Sequence, residues 1–454
     1  MVVPHFERVD RVGKANPRLY HRRLNPDQSP SAPSARPHSW VVPAHIAAVA
    51  LVQSTWMATM FILPVLARKR FGASDLQTVL ITATPTIFFC LSIFWNDLFG
   101  RRPFGRYLLL YWLMGCLPPA FIAWADGYYG LLIPHLIACV GGAGYHPAAG
   151  GLLKSLYPDR VRGRIYSFVW GSSMIFGAAG GMAVGHWMEV NREAFRMFMP
   201  AAALLQLGGV AILIALSHHT GHSAGRVLVE KEAGASMRLG ARWKRLVAPI
   251  AHMGGILRSD PIFARYEGAY MTYGVGWMIC YALLPIIVTT KLNLTYDAIA
   301  ESTHVAYWIA MTAAIVPAGM LMDRMGAAKS TGLSFGLLTL YPIGLMLARD
   351  PYELMMVSVV YGLSHAGANV GWMLGPVSLA PSPEKVPQYV AIHATLVGVR
   401  GTLFQFAGVG VYLLTESFVA PLALAAAAFA WSAVQMYRLN ARMKRKGDGE
   451  APSV

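Results

Sequence analysis

The stretch Asn96-Asp97-Leu98-Phe99-Gly100-Arg101-Arg102-Pro103-Phe104-Gly105-Arg106 separates two long apolar runs, residues 76–95 and 107–124. Each run has about the 20 apolar residues that an α-helix needs to cross a bilayer core of roughly 30 Å. The stretch itself is too polar to lie in hydrocarbon. It is therefore predicted to be a short loop, rich in Arg and carrying one Asp, between two membrane-spanning helices.

A second stretch repeats this arrangement about half a chain later. Residues Gly319-Met320-Leu321-Met322-Asp323-Arg324-Met325-Gly326 follow another apolar run, and Lys329 comes shortly after them. In both stretches an Asp ends the apolar run and a Gly follows three residues later. Two such loops in equivalent places indicate that the chain contains two similar halves.

The two stretches resemble the loop signature of the major facilitator superfamily, G-x-x-x-D-R-x-G-R-R, which in that family lies between the second and third helices and again between the eighth and ninth. The first copy departs from it at Ile93 and Leu98, where the family prefers Gly and Arg. The resemblance implies an all-α polytopic membrane protein with twelve transmembrane helices in two pseudo-symmetric six-helix bundles. It also implies a conformational latch, or alternatively simple loop caps, at Asp97, Gly100, Arg101, Arg102, Asp323, Arg324, Arg162 and Arg164.

The composition supports a membrane protein independently of this resemblance. Of the 454 residues, 55% are hydrophobic and only 13% are charged, and the mean hydropathy is +0.45. Soluble domains usually have about 25% charged residues. The net charge of +16 does not indicate a nucleic-acid partner, because the basic residues concentrate in alternate loops and in both tails.

The distribution of charge also predicts the orientation in the membrane. About 30 of the 38 Lys and Arg residues lie on one side if both termini are placed there, and loops rich in Lys and Arg stay in the cytoplasm. We therefore expect a multi-pass protein of a bacterial-type inner (plasma) membrane with both termini cytoplasmic. The cluster Arg68-Lys69-Arg70 falls on the opposite side, and charge alone does not explain it.

The polar intervals divide the chain into five predicted segments. A repeat supports the division: setting Tyr157-Pro158 opposite Ala380-Pro381 also sets Gly144 opposite Gly367 and His146 opposite Asn369. The segments are a disordered cytoplasmic tail (1–40), an N-terminal bundle (41–217), a cytoplasmic central loop (218–260), a C-terminal bundle (261–437) and a basic cytoplasmic tail (438–454).

Arg400 lies near the middle of the predicted span 389–414. A charge at the bilayer centre costs about 2.5–3.5 kcal/mol on insertion scales, and a guanidinium cannot lose its proton to avoid that cost. Arg400 is therefore predicted to face the bundle interior and to bind an anion or line a cavity. The alternative is a permanent structural ion pair with Glu267 or Glu301.

Span 262–290 contributes further candidates. Glu267, near its start, is predicted to be a gate residue or a carboxylate that titrates during proton coupling; the alternative is an interfacial Glu in contact with water. Tyr270 and Trp277 belong to an aromatic stripe at helical spacing. Such a stripe is either a cavity wall or helix packing.

Two histidines lie beside small residues in predicted spans, His146 in the fourth and His365 in the tenth, and Asn369 follows His365 by one helical turn. Histidine changes charge near physiological pH, so these positions are candidates for solute binding or coupling. The alternative is a hydrogen-bonded structural histidine. No pair of histidines within the spans has the i, i+4 spacing of a helical metal site, so no metal and no cofactor is predicted.

The resemblance implies a secondary active transporter that moves a small solute by alternating access, as a symporter or antiporter and not as an enzyme. The sequence has no Gly-x-x-x-x-Gly-Lys-Ser/Thr phosphate loop, so an ion gradient, with H⁺ as the expected ion, would drive transport. Arg400 favours an anionic or zwitterionic solute. We expect a monomer in the lipid bilayer. The alternative function is a transporter-like membrane sensor or scaffold without transport.

Overall fold

The computed structural model describes residues 40–89, 103–145, 149, 152, 156–157, 159–219, 253–381 and 386–449. These residues form helices, and no strand occurs among them. The long helices are α1 (Val41–Phe71), α2 (Asp75–Phe89), α3 (Phe104–Trp124), α4 (Tyr128–Gly142), α5 (Asp159–Val190), α6 (Phe195–His219), α7 (Pro261–Lys291), α8 (Tyr296–Met325), α9 (Ala327–Leu347), α10 (Pro351–Leu379), α11 (Val386–Thr415) and α12 (Val419–Gly449).

The all-α membrane fold is confirmed, and the number of spans stays a prediction. Within the described ranges, nine helices are long and apolar enough to cross a membrane, and α4 is a shorter apolar helix. The predicted N-terminal tail up to residue 39, residues 220–252 of the predicted central loop and residues 90–102, which include Asn96 to Arg102 of the first loop stretch, lie outside these ranges.

Helix contacts repeat when the helix number is raised by six. In the first half, α1 packs on α5 and α6, α2 on α4, and α3 on α4 and α6. In the second half, α7 packs on α11 and α12, α8 on α10, and α9 on α10 and α12. Between the halves, α2 packs on α11 and α5 packs on α8. These two contacts are equivalent, because α8 is the counterpart of α2 and α11 is the counterpart of α5. The halves α1–α6 and α7–α12 are therefore related by a pseudo-twofold axis, as in folds built from parallel repeats.

An Asp-Pro pair starts two of the helices in the second half. Asp260 accepts hydrogen bonds from two backbone N–H groups in the first turn of α7, at 3.1 and 3.0 Å. Asp350 does the same for α10, with both bonds at 2.8 Å. Pro261 and Pro351 occupy the first helical position, where the missing N–H group costs nothing and the fixed φ suits a helix. These short polar sequences therefore define where the helices begin.

The backbone conformation at Gly326 explains why the second loop signature has a glycine at this position. Gly326 separates α8 from α9 with φ 79° and ψ 160°, a combination that essentially only glycine adopts. Its N–H group donates to the carbonyl of Met322 at 2.8 Å and so completes the last turn of α8. The chain can therefore reverse between two helices with a single connecting residue.

Two predicted spans are longer in the structure than in the sequence analysis. The first apolar run, residues 41–66, ends before Arg68-Lys69-Arg70 and predicts a loop there, whereas α1 continues to Phe71 and carries the cluster in its last turn. The last span was expected to end at Tyr437, whereas α12 continues to Gly449. Charged side chains extend a helix beyond the apolar run because their long stems reach water.

Glycines allow the two halves to approach closely at their seam. Gly181 and Gly185 on α5 face α8; a Cβ atom at these positions would lie 2.1 Å from the ring of His304 and 2.5 Å from Ala300. The carbonyl of Gly177, one turn earlier, lies 3.0 Å from Nε2 of His304. Small residues at this spacing let helices pack backbone to backbone, so α5 and α8 form one side of the seam.

We expect Gly181→Ala to lower the melting temperature of the detergent-purified protein. The new methyl group would overlap the His304 ring, and overpacking of this kind costs about 1–3 kcal/mol. Gly171→Ala on the same helix is the matched control, because nothing lies within 4 Å of a Cβ atom there. Alanine favours helix over glycine by about 1 kcal/mol, so the control should be neutral or more stable. Equal melting temperatures for the two variants would contradict the packing described for α5 and α8.

Candidate functional site

Among the charged residues that the structure describes, Arg400 is the most buried, with 1% of its surface exposed. It lies on α11 and points towards α7, where an Nη1 hydrogen bond reaches the carbonyl of Tyr270. Its guanidinium carbon lies 5.3 Å from the ring centre of Tyr273 and 5.8 Å from that of Tyr270. The predicted position inside the bundle therefore agrees with the structure, and the two aromatic faces lie within the distance at which they attract a cation.

A glycine on α7 makes room for this arginine. A Cβ atom at Gly274 would lie 2.2 Å from Cδ of Arg400. The aliphatic part of the Arg400 side chain therefore passes close to the α7 backbone at Gly274. Any larger residue at position 274 would displace it. The next residue of α11, Gly401, packs against Thr86 of α2. Arg400 consequently lies in the second half, one residue from the seam with the first half.

The guanidinium of Arg400 is only partly satisfied. It has five N–H donors, and its single hydrogen bond to a described residue is the one to the Tyr270 carbonyl. Its Nε atom is buried and has no partner among the described residues. The predicted alternative of a structural ion pair with Glu267 or Glu301 is wrong in this structure, because Glu267 pairs with another residue and Glu301 is exposed.

Glu267 pairs with His393 instead. Its two carboxylate oxygens lie 2.9 and 2.8 Å from Nδ1 of His393, and each side chain is 3% exposed. The alternative interpretation of Glu267 as an interfacial residue in contact with water is therefore wrong. The Nε2 atom of His393 is buried and has no partner among the described residues. The pair is thus a buried carboxylate and imidazole with one unused ring nitrogen.

Tyr270 connects the two charged groups. Its backbone carbonyl accepts from Arg400, and its ring stands edge-on to His393 at 5.0 Å between centres. Its hydroxyl donates to the carbonyl of Ala368 on α10 at 2.8 Å. The side chain of Tyr270 is 1% exposed. It therefore separates Arg400 from the Glu267–His393 pair in this structure.

His365 lies in an adjacent layer of aromatic residues. Its Nε2 atom is 2.9 Å from the hydroxyl of Tyr273, and its Nδ1 atom is 2.7 Å from the hydroxyl of Tyr307. The imidazole stacks on Tyr361 at 5.1 Å between ring centres. Trp277 donates from Nε1 to the Tyr361 hydroxyl at 2.6 Å. The network joins α7, α8 and α10, and both ring nitrogens of His365 are engaged.

The remaining predicted residues are placed as follows. Asn369 is half-buried on α10, one turn beyond His365. Asp323 and Arg324 are exposed at the end of α8, and neither forms an ion pair with a described residue. Their role in a latch stays a prediction. His146, Asp97, Gly100, Arg101 and Arg102 lie outside the described residues, as do the side chains of Arg162 and Arg164.

The structure adds residues that the sequence analysis did not select for the site. His393 lies within the predicted span 389–414, and only the fold brings it to Glu267. Tyr307 and Tyr361 come from α8 and α10. Tyr361 lies four residues before His365, so its helical spacing could have identified it. Nothing in the sequence indicates the contact of Tyr307 with His365.

The fold and the buried charges define a multi-pass membrane protein with polar groups inside one half. A family model described as "Major Facilitator Superfamily" matches residues 46–411. The chain belongs to this superfamily, which supports a secondary transporter. No curated protein sequence matches the chain.

Solved structures with the same fold include several transporters. A peptide transporter POT in complex with sulfate has 12% sequence identity and a TM-score of 0.67, with 89% of this chain and 94% of that chain covered. The nucleoside transporter NupG has 13% identity and a TM-score of 0.63, covering 88% and 99%. A bacterial homolog to the human lysosomal transporter Spinster, in an inward-facing and unoccupied conformation, has 14% identity and a TM-score of 0.59, covering 89% and 94%. At these identities the similarity shows the fold.

Proposed function

We propose that the protein is a proton-coupled secondary transporter of a small anionic or zwitterionic solute. The two halves alternate access around their seam, and Arg400 binds the anionic group of the solute. The observation that carries this proposal is the buried Arg400 guanidinium, which has one hydrogen bond and no carboxylate partner among the described residues.

The charge of Arg400 is the first step of the argument. A buried cation without an anionic partner is strongly unfavourable, so a protein retains one inside a membrane when it has a use for it. A solute carboxylate or phosphate would satisfy the remaining N–H donors and neutralise the charge. The sulfate complex of a peptide transporter with this fold supports an anion as ligand.

The route to Arg400 is the second step. The helices α7 and α11, which enclose the guanidinium, both contact α2 of the first half. Gln405 on α11 also reaches the Thr86 hydroxyl of α2, at 3.4 Å. Movement of α2 away from this pair of helices would uncover the side of Arg400 that lies next to the seam. Rocking of the halves therefore controls access to the charge.

The charges of the site support proton coupling. With His393 neutral, Arg400 and Glu267 together carry no net charge; protonation of the Glu267–His393 pair raises the total to +1. An anion binds more favourably to the protonated site, and by linkage the anion favours proton binding. The proton and the solute would therefore cross together, as in a symporter. The loop residues Asp323 and Arg324 would act as the latch of the cytoplasmic side.

A binding screen of the purified protein tests the solute class. The melting temperature would be measured with dicarboxylates, zwitterionic dipeptides, nucleosides and cationic amines at constant ionic strength. A ligand that binds the native state raises apparent stability, and we expect shifts from members of the first two classes only. Shifts confined to nucleosides or amines would contradict the anionic or zwitterionic assignment.

A further inference from the structure

The end of the molecule that carries Arg68 contains a cavity of about 460 Å³. It lies where the last turns of α1 and α5 meet the end of α7 and the start of α8, so both halves line it. Its charged lining residues are Arg68, Lys69, Arg70, Arg192 and Glu189. We call it the Arg68 cavity. Its volume is in the range of small-molecule sites, and Arg400 does not line it.

Two of the lining arginines have their own carboxylate partners, and one of them, Arg68, also joins the halves. Arg68 pairs with Asp75 at 2.6 Å and donates to the hydroxyls of Thr289 and Thr290 of α7, at 2.7 and 2.6 Å. Arg70 pairs with Glu193 at 2.7 Å. Hydrogen bonds from Arg196 and then Arg70 lower the pKa of Glu193, which therefore stays ionised. Nearby carboxylates therefore neutralise two of the three cations in the cluster Arg68-Lys69-Arg70.

The other two cations lack such partners. Lys69 donates to the carbonyl of Leu294, and its ammonium lies 4.7 Å from the ring centre of Tyr296. Arg192 is exposed and forms neither a hydrogen bond nor an ion pair with a described residue. Glu189 is the one carboxylate among the lining residues, and it accepts the backbone N–H of Tyr296 at 2.8 Å. The cavity therefore has an excess of positive charge.

We propose that the Arg68 cavity is a second binding site, distinct from Arg400, for an anion of the phosphate or carboxylate class. The anion is held by Lys69 of α1 and by Arg192 of the turn that follows α5, opposite the hydroxyl groups of Thr289 and Thr290 and the start of α8 in the second half. Because both halves line the cavity, a bound anion favours the arrangement in which they are closed at this end. The site thus links anion concentration to the conformational equilibrium.

Phosphate binding to the full-length protein in detergent tests this proposal. Melting temperature is measured against inorganic phosphate at fixed ionic strength, with chloride as the replacement anion. We expect the wild type to be stabilised in a saturable way. Arg192→Gln and Lys69→Gln should each weaken phosphate binding by roughly tenfold or more, because each removes a charge that contacts the anion. Both side chains are exposed, so both variants should fold.

Two further variants distinguish this site from others. Arg349→Gln, at the same end of the molecule and outside the cavity lining, should keep the wild-type response. In an Arg400→Gln background, which removes any binding of phosphate at Arg400, the part of the response that depends on Lys69 and Arg192 should persist. Equal phosphate responses in the wild type and Arg192→Gln, or no saturable response in the wild type, would overturn the proposal.

A comparison of two phospholipids identifies whether the bound anion is a lipid headgroup or a soluble anion. Phosphatidylglycerol in mixed micelles, without free phosphate, is compared with phosphatidylcholine. If phosphatidylglycerol stabilises the wild type but not Arg192→Gln, the occupant is a lipid headgroup. If only free phosphate has this effect, the occupant is a soluble anion. A stabilisation by phosphatidylglycerol that Arg192→Gln retains would place lipid binding elsewhere and would count against the cavity.

Discussion

Arg400→Gln should weaken binding of the anionic solute by at least about thirtyfold while leaving the ligand-free protein as stable as the wild type or more stable. Loss of one partner in a buried charge pair costs about 2–5 kcal/mol of binding energy, and 1.4 kcal/mol is a tenfold change. The stability effect has the opposite sign, because the guanidinium is buried with one hydrogen bond to a described residue. Replacement of an unpaired buried charge by a neutral amide removes its desolvation cost.

The pair of measurements separates a ligand role from a structural role. A structural arginine would lower both the melting temperature and ligand binding when replaced, whereas a ligand arginine lowers binding alone. Arg438→Gln on α12 is the matched control, because this exposed cation lies over Trp431, at 5.1 Å from the ring centre, and away from the site. Full affinity for the solute in Arg400→Gln would remove Arg400 from the binding site.

Glu267→Gln should abolish proton-driven accumulation of the solute while preserving solute exchange. Glutamine at 267 removes the carboxylate that offsets the charge of Arg400, so the site is positive without a bound proton and solute binding no longer requires one. In the wild type, a symporter with one proton per solute accumulates solute about tenfold for each pH unit of gradient, since one unit is worth 1.36 kcal/mol. The variant should show no dependence on the gradient. Uptake and counterflow in proteoliposomes measure these two activities separately.

The control for this variant is Glu301→Gln, a neutralisation of an exposed glutamate on α8. It should accumulate solute as the wild type does. Glutamine at 267 keeps an acceptor for His393 Nδ1, so the local packing should be retained. Accumulation by Glu267→Gln that still follows the pH gradient would exclude the Glu267 carboxylate as the proton site.

The fold was predictable because hydrophobic length and loop motifs are local signals. Gly326 shows this well: its place after Asp323 in the loop signature predicted a turn, and the structure gives it a backbone conformation that essentially only glycine adopts. The ends of helices were less predictable. The last turn of α1 is formed by Arg68, Lys69 and Arg70, which apolar length alone assigns to a loop.

The site was only partly predictable because its contacts join distant helices. The cost of burying Arg400 indicated an interior position, and the structure shows it. The sequence could not indicate that Arg400 pairs with neither Glu267 nor Glu301. Glu267 lies near a helix end, which suggested contact with water, yet His393 comes 126 residues later to pair with it. Neither residue carries a local signal of the other.

The central claim is that one proton accompanies an anionic or zwitterionic solute through the seam between the halves. The most direct test is proton flux into proteoliposomes that contain a pH-sensitive dye, with a solute that stabilises the purified protein. We predict that adding the solute acidifies the lumen of wild-type vesicles, and that Arg400→Gln vesicles give no such signal. Solute entry without any proton movement, or proton entry that does not depend on the solute, would contradict the account.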